Sequence, residues 1–244
     1  MDILYVVGNG SKMNNQELRY SLRSIAKFGR NVGRIYIVGH MPEFVSDIVT
    51  HIPCDDFCNR KHKNILHKVL TAIATSTISP HFLVSSDDHF YLKETDFDSY
   101  PVYYQRREML QELTQEKALN NYYKSIVDTS RLLKNHGLPI FMTNPHCNTH
   151  FDTAIYEKNM YIFEEAMSLM YGGEMNCIMG NLLVANGATP EYIHDIKLME
   201  FESFDELDKR LANAHCFSIS DTTIAKGIEK YLARLYPEKC KYER

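Results

Sequence analysis

The sequence predicts an α/β protein with a mixed, mainly parallel sheet and a helical second half. Roughly the first 90 residues alternate short apolar strand patterns with amphipathic helix patterns, which is the order of parallel βαβ units. The strand patterns are continuous apolar runs, as in strands that are buried on both faces. Hydrophobic residues make up 44% of the 244 residues and charged residues 24%, an ordinary globular balance.

The first strand pattern, at 3–7, leads through a turn-rich loop into an amphipathic helix. Asn14 is predicted to cap this helix, because Glu17 follows three residues later as in a capping box, and Gly29 suits its end. The next predicted elements are strands at 34–38, 51–52 and 81–84 and helices at 42–48 and 60–76.

Beyond residue 95 the pattern is less regular, and no linker divides the chain into two domains. Ser203 and Glu206 form a second capping-box pattern, Asp221 is predicted to cap a last helix, and Pro237 is predicted to end it. The other predicted elements are strands at 101–106, 140–143, 197–201 and 215–219 and helices at 118–135, 156–170 and 174–186.

Charge and hydropathy exclude several classes of protein. The net charge is −4, so the basic excess of a nucleic-acid-binding protein is missing and we expect no nucleic-acid partner. We expect no transmembrane segment, since no window approaches 18 consecutive apolar residues, and the start lacks the pattern of a signal peptide. The six cysteines have no metal-site spacing, which predicts reduced thiols in a cytoplasmic protein.

The strongest local signal is the pair Asp87 and Asp88 after the strand pattern at 81–84. Ligands of open α/β sheets bind beyond the carboxyl ends of strands, and two adjacent carboxylates repel each other unless a cation or hydrogen-bond donors offset the repulsion. Mg²⁺ and Mn²⁺ take oxygen ligands and bridge to phosphates, so the pair predicts a metal and phosphate site. An exposed turn after a strand is the alternative interpretation.

Two basic helix faces are candidate phosphate contacts. Arg19, Arg23 and Lys27 are spaced four apart on the first helix, and Arg19 lies near its N-terminus, where an anionic partner is favoured. Lys61 and Asn64 share a face near the start of the helix at 60–76. Solvated helix faces are the alternative interpretation in both cases.

A glycine-containing loop and a polar loop complete the candidate sites. Gly8 to Ser11 could bring backbone N–H groups close to a ligand, although the pattern is not GxGxxG and a plain turn is the alternative. The loop 144–152 contains His146, His150 and Asp152, which could supply a base or an acceptor contact. His215 is a candidate for a distal metal or phosphate contact.

Several runs of the sequence resemble conserved blocks of a known family. They resemble blocks of the Stealth proteins, which are sugar-1-phosphate transferases, and of bacterial and phage proteins classified as glycosyltransferases. The most specific run is Glu-Leu-Arg-Tyr-Ser-Leu-Arg-Ser. The runs at 2–11, 17–25, 35–38 and 82–92 resemble both groups, and the run at 235–243 resembles the end of the bacterial and phage proteins.

The resemblance implies a single GT-A-type, Rossmann-like domain over 1–244, with a nucleotide-binding half at 1–95 and an acceptor-side half at 96–244. It also implies a nucleotide-diphosphate sugar donor, a divalent Mn²⁺ or Mg²⁺ ion, and a saccharide or lipid-linked glycan acceptor. On this reading Asp88 holds the metal, Arg19 faces the leaving diphosphate, and His150 or Asp152 is the base. The candidate donor contacts are Val7, Gly8, Asn9, Gly10, Ser11, Arg23, Lys61, Asn64 and Asp87, and the candidate metal ligands are Asp87, Asp88 and His215.

Three functions remain open from the sequence. The first is a metal-dependent glycosyltransferase of bacterial surface glycan synthesis, with peripheral attachment to a membrane through partners. The second is sugar-1-phosphate transfer of the Stealth kind. The third is a nucleotide-sugar-binding module without catalysis.

Overall fold

The computed structural model describes residues 1–115, 117 and 120–244 and confirms the α/β class with a mainly parallel sheet. Its central sheet has the strand order β4-β3-β1-β5-β9. The first four of these strands are mutually parallel and β9 runs antiparallel to β5. The strands are β1 (Asp2–Val7), β3 (Ile35–Gly39), β4 (Thr50–Ile52), β5 (His81–Ser86) and β9 (Thr149–Asp152).

The central sheet is covered on both faces, which explains its apolar strands. All five residues of β3 are buried, as are five of the six in β1. On one face lies α1 (Gln16–Phe28), whose Leu18, Leu22 and Ile25 pack in a cluster with β1 and β3. On the other face lies α2 (Lys61–Thr75), in a second cluster. The helices α3 (Asn121–Asn135), α5 (Met160–Ser168) and α6 (Met175–Ala185) contribute to this second cluster.

A smaller sheet continues directly from the central one. After Asp87 and Asp88 the chain forms β6 (His89–Tyr91), which pairs antiparallel with β12 (Cys216–Ile219), and β12 pairs parallel with β11 (Asp195–Leu198). This sheet packs with α7 (Phe204–Leu211) and α9 (Glu229–Leu235) in a third apolar cluster.

Among the described residues no helix is both long and apolar enough to cross a bilayer.

The remaining elements are short strand pairs and short helices that connect these layers. The pairs are β2 (Gly29–Arg30) with β7 (Thr95–Asp96) and β8 (Val102–Tyr104) with β10 (Pro190–Tyr192), and the short helices are α4 (Thr153–Lys158) and α8 (Asp221–Ala225).

Several predicted elements of the second half are broken or missing in the structure. The predicted helix at 156–170 is two helices, because Asn159 adopts φ −120° and its side-chain amide donates to Ile155 O at 2.8 Å, ending α4. The predicted last helix is also two, separated at Gly227 with φ +87°. Residues 42–48 form turns, 140–143 contribute only a bridge to Arg106, and residues 118 and 119 of the predicted helix 118–135 lie outside the described part.

The predicted cap of α1 is wrong. Asn14 and Asn15 are both left-handed, with φ 52° and 59°, and the helix begins at Gln16. Asn15 uses its side-chain amide to donate to Gly8 O at 3.2 Å, so it fastens the loop after β1. Glu17 makes no capping bond and its side chain is buried.

The capping box at α7 is confirmed, and it gives a measurable prediction. Ser203 Oγ accepts from Glu206 N at 3.4 Å, and Glu206 Oε2 accepts from Ser203 N at 3.0 Å. We expect Ser203→Ala to lower the free energy of unfolding by about 1 kcal/mol. Urea unfolding measures this, with the exposed Lys209→Ala on the same helix as the control. Equal stability of both variants would show that the cap contributes nothing.

Candidate active site

The carboxyl ends of three parallel strands meet at one edge of the central sheet. Val7 ends β1 and pairs with Gly39 at the end of β3, and Ser86 ends β5 beside Val6. The loops after these strands therefore lie side by side, at the edge where α/β sheets bind ligands. Gly8 and Gly10 face open space, since a Cβ on either would meet no atom within 4 Å.

Asp87 and Asp88 occupy the two-residue turn between β5 and β6 at this edge. Burial, followed by the charges of Asp88 and Glu17, raises the pKa of Asp87 to about 8, while Lys61 opposes the shift. Asp87 therefore holds a proton at neutral pH in the absence of a ligand. A carboxyl group that is ionised only with difficulty at this place is a candidate for binding a cation that replaces the proton.

Glu17 is a third acid at the same place, and sequence patterning assigned it to a helix cap instead. Its side chain is buried, and Oε2 has no hydrogen-bond partner in the described part of the chain. Burial raises its pKa, and the charges of Asp88 and Asp221 add to the shift. The first turn of α1 therefore brings a further unneutralised carboxyl toward the Asp87–Asp88 turn.

The side chains around the Asp87–Asp88 turn supply only part of the ligands that a hard cation requires. Within the described residues, no three His, Cys, Asp or Glu side chains lie close enough together to hold a metal by themselves. Two adjacent carboxylates are nevertheless what Mg²⁺ uses when substrate phosphates and water complete its coordination. Asp87 and Asp88 fit that arrangement, and the raised pKa of Asp87 and the unpartnered Oε2 of Glu17 are consistent with it.

His215 does not join this group. It lies just before β12, and its Nε2 is 2.9 Å from Thr95 Oγ1. Ser218, three residues further along β12, is the residue that pairs with His89. The prediction of His215 as a metal ligand therefore has no geometric support, because the strand carries it away from the Asp87–Asp88 turn.

A cleft of about 870 Å³ opens beside Asp88 and is lined by residues from both halves of the chain. Its size and mixture of charged, aromatic and amide side chains suit a ligand of several rings. The charged residues that line it are Arg60, Lys61, Asp88, Arg106, Glu108, Glu174, Asp195 and Lys197, and the tyrosines are Tyr122, Tyr123, Tyr171 and Tyr192.

Asp195 organises the part of the cleft next to Asp88. Its Oδ2 accepts from the backbone N of His146 at 2.6 Å and from Gln105 Nε2 at 2.8 Å, so it joins β11 to two loops. Burial lowers the pKa of His89 to about 4 and also lowers the pKa of His146. Both histidines are therefore neutral at physiological pH.

The first turn of α2 also lines the cleft and is strongly basic. Arg60 precedes the helix and Lys61 begins it, and the first turn contains no acid. Lys61 is close enough to Asp87 to lower that group's pKa. Asn64, predicted to contact the donor, instead fixes the preceding loop, because its Nδ2 donates to Cys58 O at 2.7 Å.

Arg19 and Arg23 are engaged away from the cleft. Arg23 Nε and Nη2 lie 2.7 and 2.9 Å from the two oxygens of Glu243, and Arg19 Nη1 lies 2.7 Å from Oε2. The Glu243 side chain is completely buried. The structure therefore favours an anchoring role for both arginines over the predicted contacts with a diphosphate.

His150 and Asp152 lie toward the other edge of the sheet. In the antiparallel register His150 is opposite Leu83 and Asp152 opposite His81, so His150 is roughly 15 Å from the Asp88 position along β5. His150 Nδ1 is 2.9 Å from His81 Nε2, and Asp152 Oδ1 accepts from Ile155 N at 2.9 Å as the cap of α4. Neither residue is placed to act as a base beside Asp88.

The loop after β1 keeps its predicted position at the sheet edge. Val7 O accepts from His40 N at 3.2 Å and from Lys68 Nζ at 3.3 Å, which fixes the end of the strand. Ser11 Oγ accepts from Met13 N at 3.0 Å. Contact between this loop and a sugar-nucleotide donor stays a prediction for Val7, Gly8, Asn9, Gly10 and Ser11.

No protein-family model matches the chain, and no curated protein matches it. Among solved structures it is similar to the galactosyltransferase LgtC in complex with donor and acceptor sugar analogs, at 12% identity and a TM-score of 0.49, over 97% of this chain and 95% of that one. An active-site mutant of LgtC gives 12% identity and a TM-score of 0.49 over 96% and 95%. The assignment of a function therefore depends on the residues of the cleft.

Proposed function

We propose that the protein is a metal-dependent glycosyltransferase of GT-A type that uses a nucleotide-diphosphate sugar. One observation carries the proposal: Asp87 and Asp88 lie at the carboxyl edge of a parallel sheet, and Asp88 lines a cleft that the basic start of α2 also lines. Paired carboxylates and a basic N-terminal turn are together suited to a metal-bound diphosphate.

In this proposal the phosphates lie between the acidic turn and α2. Asp87 and Asp88 would hold Mn²⁺ or Mg²⁺, and that ion would neutralise charge on the departing diphosphate. Lys61 and the backbone N–H groups of the first turn of α2 would bind the phosphate oxygens. Asp87 would give up its proton to a bound cation, because a positive charge beside it would lower the raised pKa of this carboxyl group.

The part of the cleft that is lined by tyrosines would take the acceptor. Tyr122, Tyr123 and Tyr192 line it and offer ring faces for a saccharide, while Asn144 and Asn176 offer amide groups. We propose a saccharide or lipid-linked glycan acceptor and a role in surface glycan synthesis, in the cytoplasm with peripheral attachment to a membrane. The halves 1–95 and 96–244 would then bind mainly donor and acceptor, in keeping with a cleft lined by both.

Calorimetric titration of nucleotide sugars tests the proposal. We expect micromolar binding with Mn²⁺ and binding weakened at least about tenfold with chelator or in Asp88→Asn, because the ion bridges protein and phosphate. Glu108→Gln, which neutralises an exposed carboxylate of the same cleft outside the acidic turn, controls for a general effect of charge. Absence of binding across a panel of nucleotide sugars with metal present contradicts the proposal.

Product analysis with the donor that binds separates the alternative functions. Release of a nucleoside diphosphate is the result expected of a glycosyltransferase, whereas a nucleoside monophosphate indicates the sugar-1-phosphate transfer of the Stealth proteins. Binding without any release, in the presence of metal and of a range of acceptors, indicates a binding module that does not catalyse transfer.

A further inference from the structure

A buried carboxylate lines the cleft on the side of α2 and has no part in the acidic turn. Glu174 is 4% exposed and immediately precedes α6. Its backbone N donates to Thr129 Oγ1 at 2.8 Å, which fixes its position. A buried charge at the wall of a cleft requires a partner, since its desolvation is otherwise costly.

That partner is His62, in the first turn of α2. Its Nδ1 lies 3.0 Å from Glu174 Oε2, a distance typical of an ion pair, but the two groups are not aligned as a hydrogen bond and Nδ1 has no hydrogen-bond partner in the described part of the chain. The ring of Tyr122 stacks on His62, with centroids 6.0 Å apart and planes 28° apart. The imidazole is thus held by a carboxylate at one nitrogen and by an aromatic face, and all three residues line the cleft.

We infer that His62, held by Glu174, is the general base that activates the acceptor. This inference rests on the proposed glycosyltransferase function, and it replaces the predicted bases His150 and Asp152. A carboxylate at Nδ1 selects the tautomer with the proton on that nitrogen and leaves Nε2 as the acceptor of a proton. The Nδ1–H bond of His62 does not point straight at the Glu174 carboxylate, and such misalignment is common before substrate binds.

The step balances without any further reagent. The acceptor hydroxyl gives its proton to His62 Nε2 while its oxygen forms a bond to the anomeric carbon of the donor. The bond between that carbon and the phosphate oxygen breaks, and the nucleoside diphosphate leaves with the electron pair. Glu174 stabilises the imidazolium that forms and does not itself take the proton.

The other two histidines of the cleft are less suited to this role. His89 and His146 both have lowered pKa values because of burial, and His89 also lies 3.9 Å from Asp88, within the acidic turn's own electrostatics. Neither ring is paired with a carboxylate outside that turn in the described residues. His62 is one residue from Lys61, whose charge acts on Asp87, so the imidazole is near the proposed phosphate site.

Donor hydrolysis, with water in place of the unidentified acceptor, tests the inference. We expect His62→Ala to lower nucleoside diphosphate release about 100-fold while donor affinity changes less than about threefold, the signature of a group that acts in the transition state. Added imidazole should restore the rate at least about tenfold in His62→Ala, since it can replace a missing base but not a missing structural contact.

Two further variants complete the experiment. Glu174→Gln should lower the rate without rescue by imidazole, because His62 is still present, and thermal unfolding verifies that the variant is folded. His136→Ala is the matched control, because His136 and Glu165 form a similar pair outside the cleft, with Nε2 and Oε2 2.8 Å apart.

The outcomes distinguish this inference from the function on which it rests. Loss of hydrolysis with imidazole rescue in His62→Ala alone supports it. A wild-type rate in His62→Ala, or loss that imidazole does not restore, overturns the assignment of the base and leaves the glycosyltransferase proposal standing. If the wild-type protein binds no nucleotide sugar at all, the proposed function fails and the base assignment fails with it.

Discussion

Asp87→Asn is expected to make the protein more stable and to weaken metal-dependent donor binding. The folded protein raises the pKa of Asp87 from 3.8 to about 8, chiefly through burial and then through Asp88 and Glu17. Between these two pH values the unfolded chain has released the proton while the folded protein retains it. The unfolded state therefore binds fewer protons, and this group lowers stability as pH rises from about 4 to about 8.

Asparagine does not titrate, so the variant escapes this loss. Its advantage should be near zero at pH 4 and reach about 2–4 kcal/mol at pH 8, allowing for the partial exposure of the residue. Urea unfolding at both pH values measures it, with the exposed Asp55→Asn as the control that should show no such trend. A stability difference that is the same at the two pH values, or that favours the wild type at pH 8, would contradict the prediction.

The same substitution should remove a metal ligand. An amide supplies one neutral oxygen where the carboxylate supplied a charge, so we expect Mn²⁺-dependent donor binding to weaken at least about tenfold. Stability gained together with function lost is typical of residues that a site keeps in an unfavourable state. If donor binding with Mn²⁺ remained unchanged in Asp87→Asn, Asp88 alone would carry the metal.

The sequence was sufficient to predict those parts of the fold that depend on local pattern. The apolar runs that became β1, β3 and β5 have no polar alternation, because both faces of the central sheet are covered. Their order also placed Asp87 and Asp88 correctly at the carboxyl end of β5. Position relative to one strand is local information, and so it was available from the sequence.

Contacts between residues that are distant in the sequence could not be predicted from local pattern. His146 and His150 are four residues apart in one polar loop, and the histidine pattern gave no reason to separate them. The antiparallel pairing of β9 with β5 takes His150 toward the far edge of the sheet, while His146 stays in the cleft. Likewise Glu174 meets His62 across 112 positions of sequence, which no spacing rule connects.

Arg19 and Arg23 illustrate a second limit. A row of basic residues on a helix near a ligand-binding edge predicts a phosphate contact. The pattern does not show whether a carboxylate from a distant part of the chain already pairs with those basic residues. Here Glu243 does so, 220 positions after Arg23. The resemblance carried by this run of the sequence therefore includes residues that hold the fold together, and only the structure separates them from residues that line the cleft.

Glu243→Ala is expected to be among the most destabilising single substitutions in the protein. The carboxylate is completely buried and binds both guanidinium groups, and Oε1 also accepts from Cys240 N at 3.1 Å. The neighbouring backbone joins the segment 42–48, where Ser46 N donates to Tyr242 O at 2.9 Å. Removing one member of a buried ion pair leaves the other charges unpaired, at a cost of about 3 kcal/mol.

Chemical unfolding of Glu243→Ala, Glu243→Gln and the exposed Glu238→Ala measures this cost, and pH identifies its origin. Burial opposes ionisation of Glu243, but Arg23, the Cys240 N–H and Arg19 outweigh it, so the folded pKa lies below 4.5. The ion pairs therefore stabilise the protein above the unfolded pKa, and this contribution is lost as pH falls through the folded pKa. The difference between wild type and Glu243→Gln should consequently be largest at neutral pH and shrink below about pH 4. A difference independent of pH would mean that shape and hydrogen bonding, not charge, hold Arg19 and Arg23 in place.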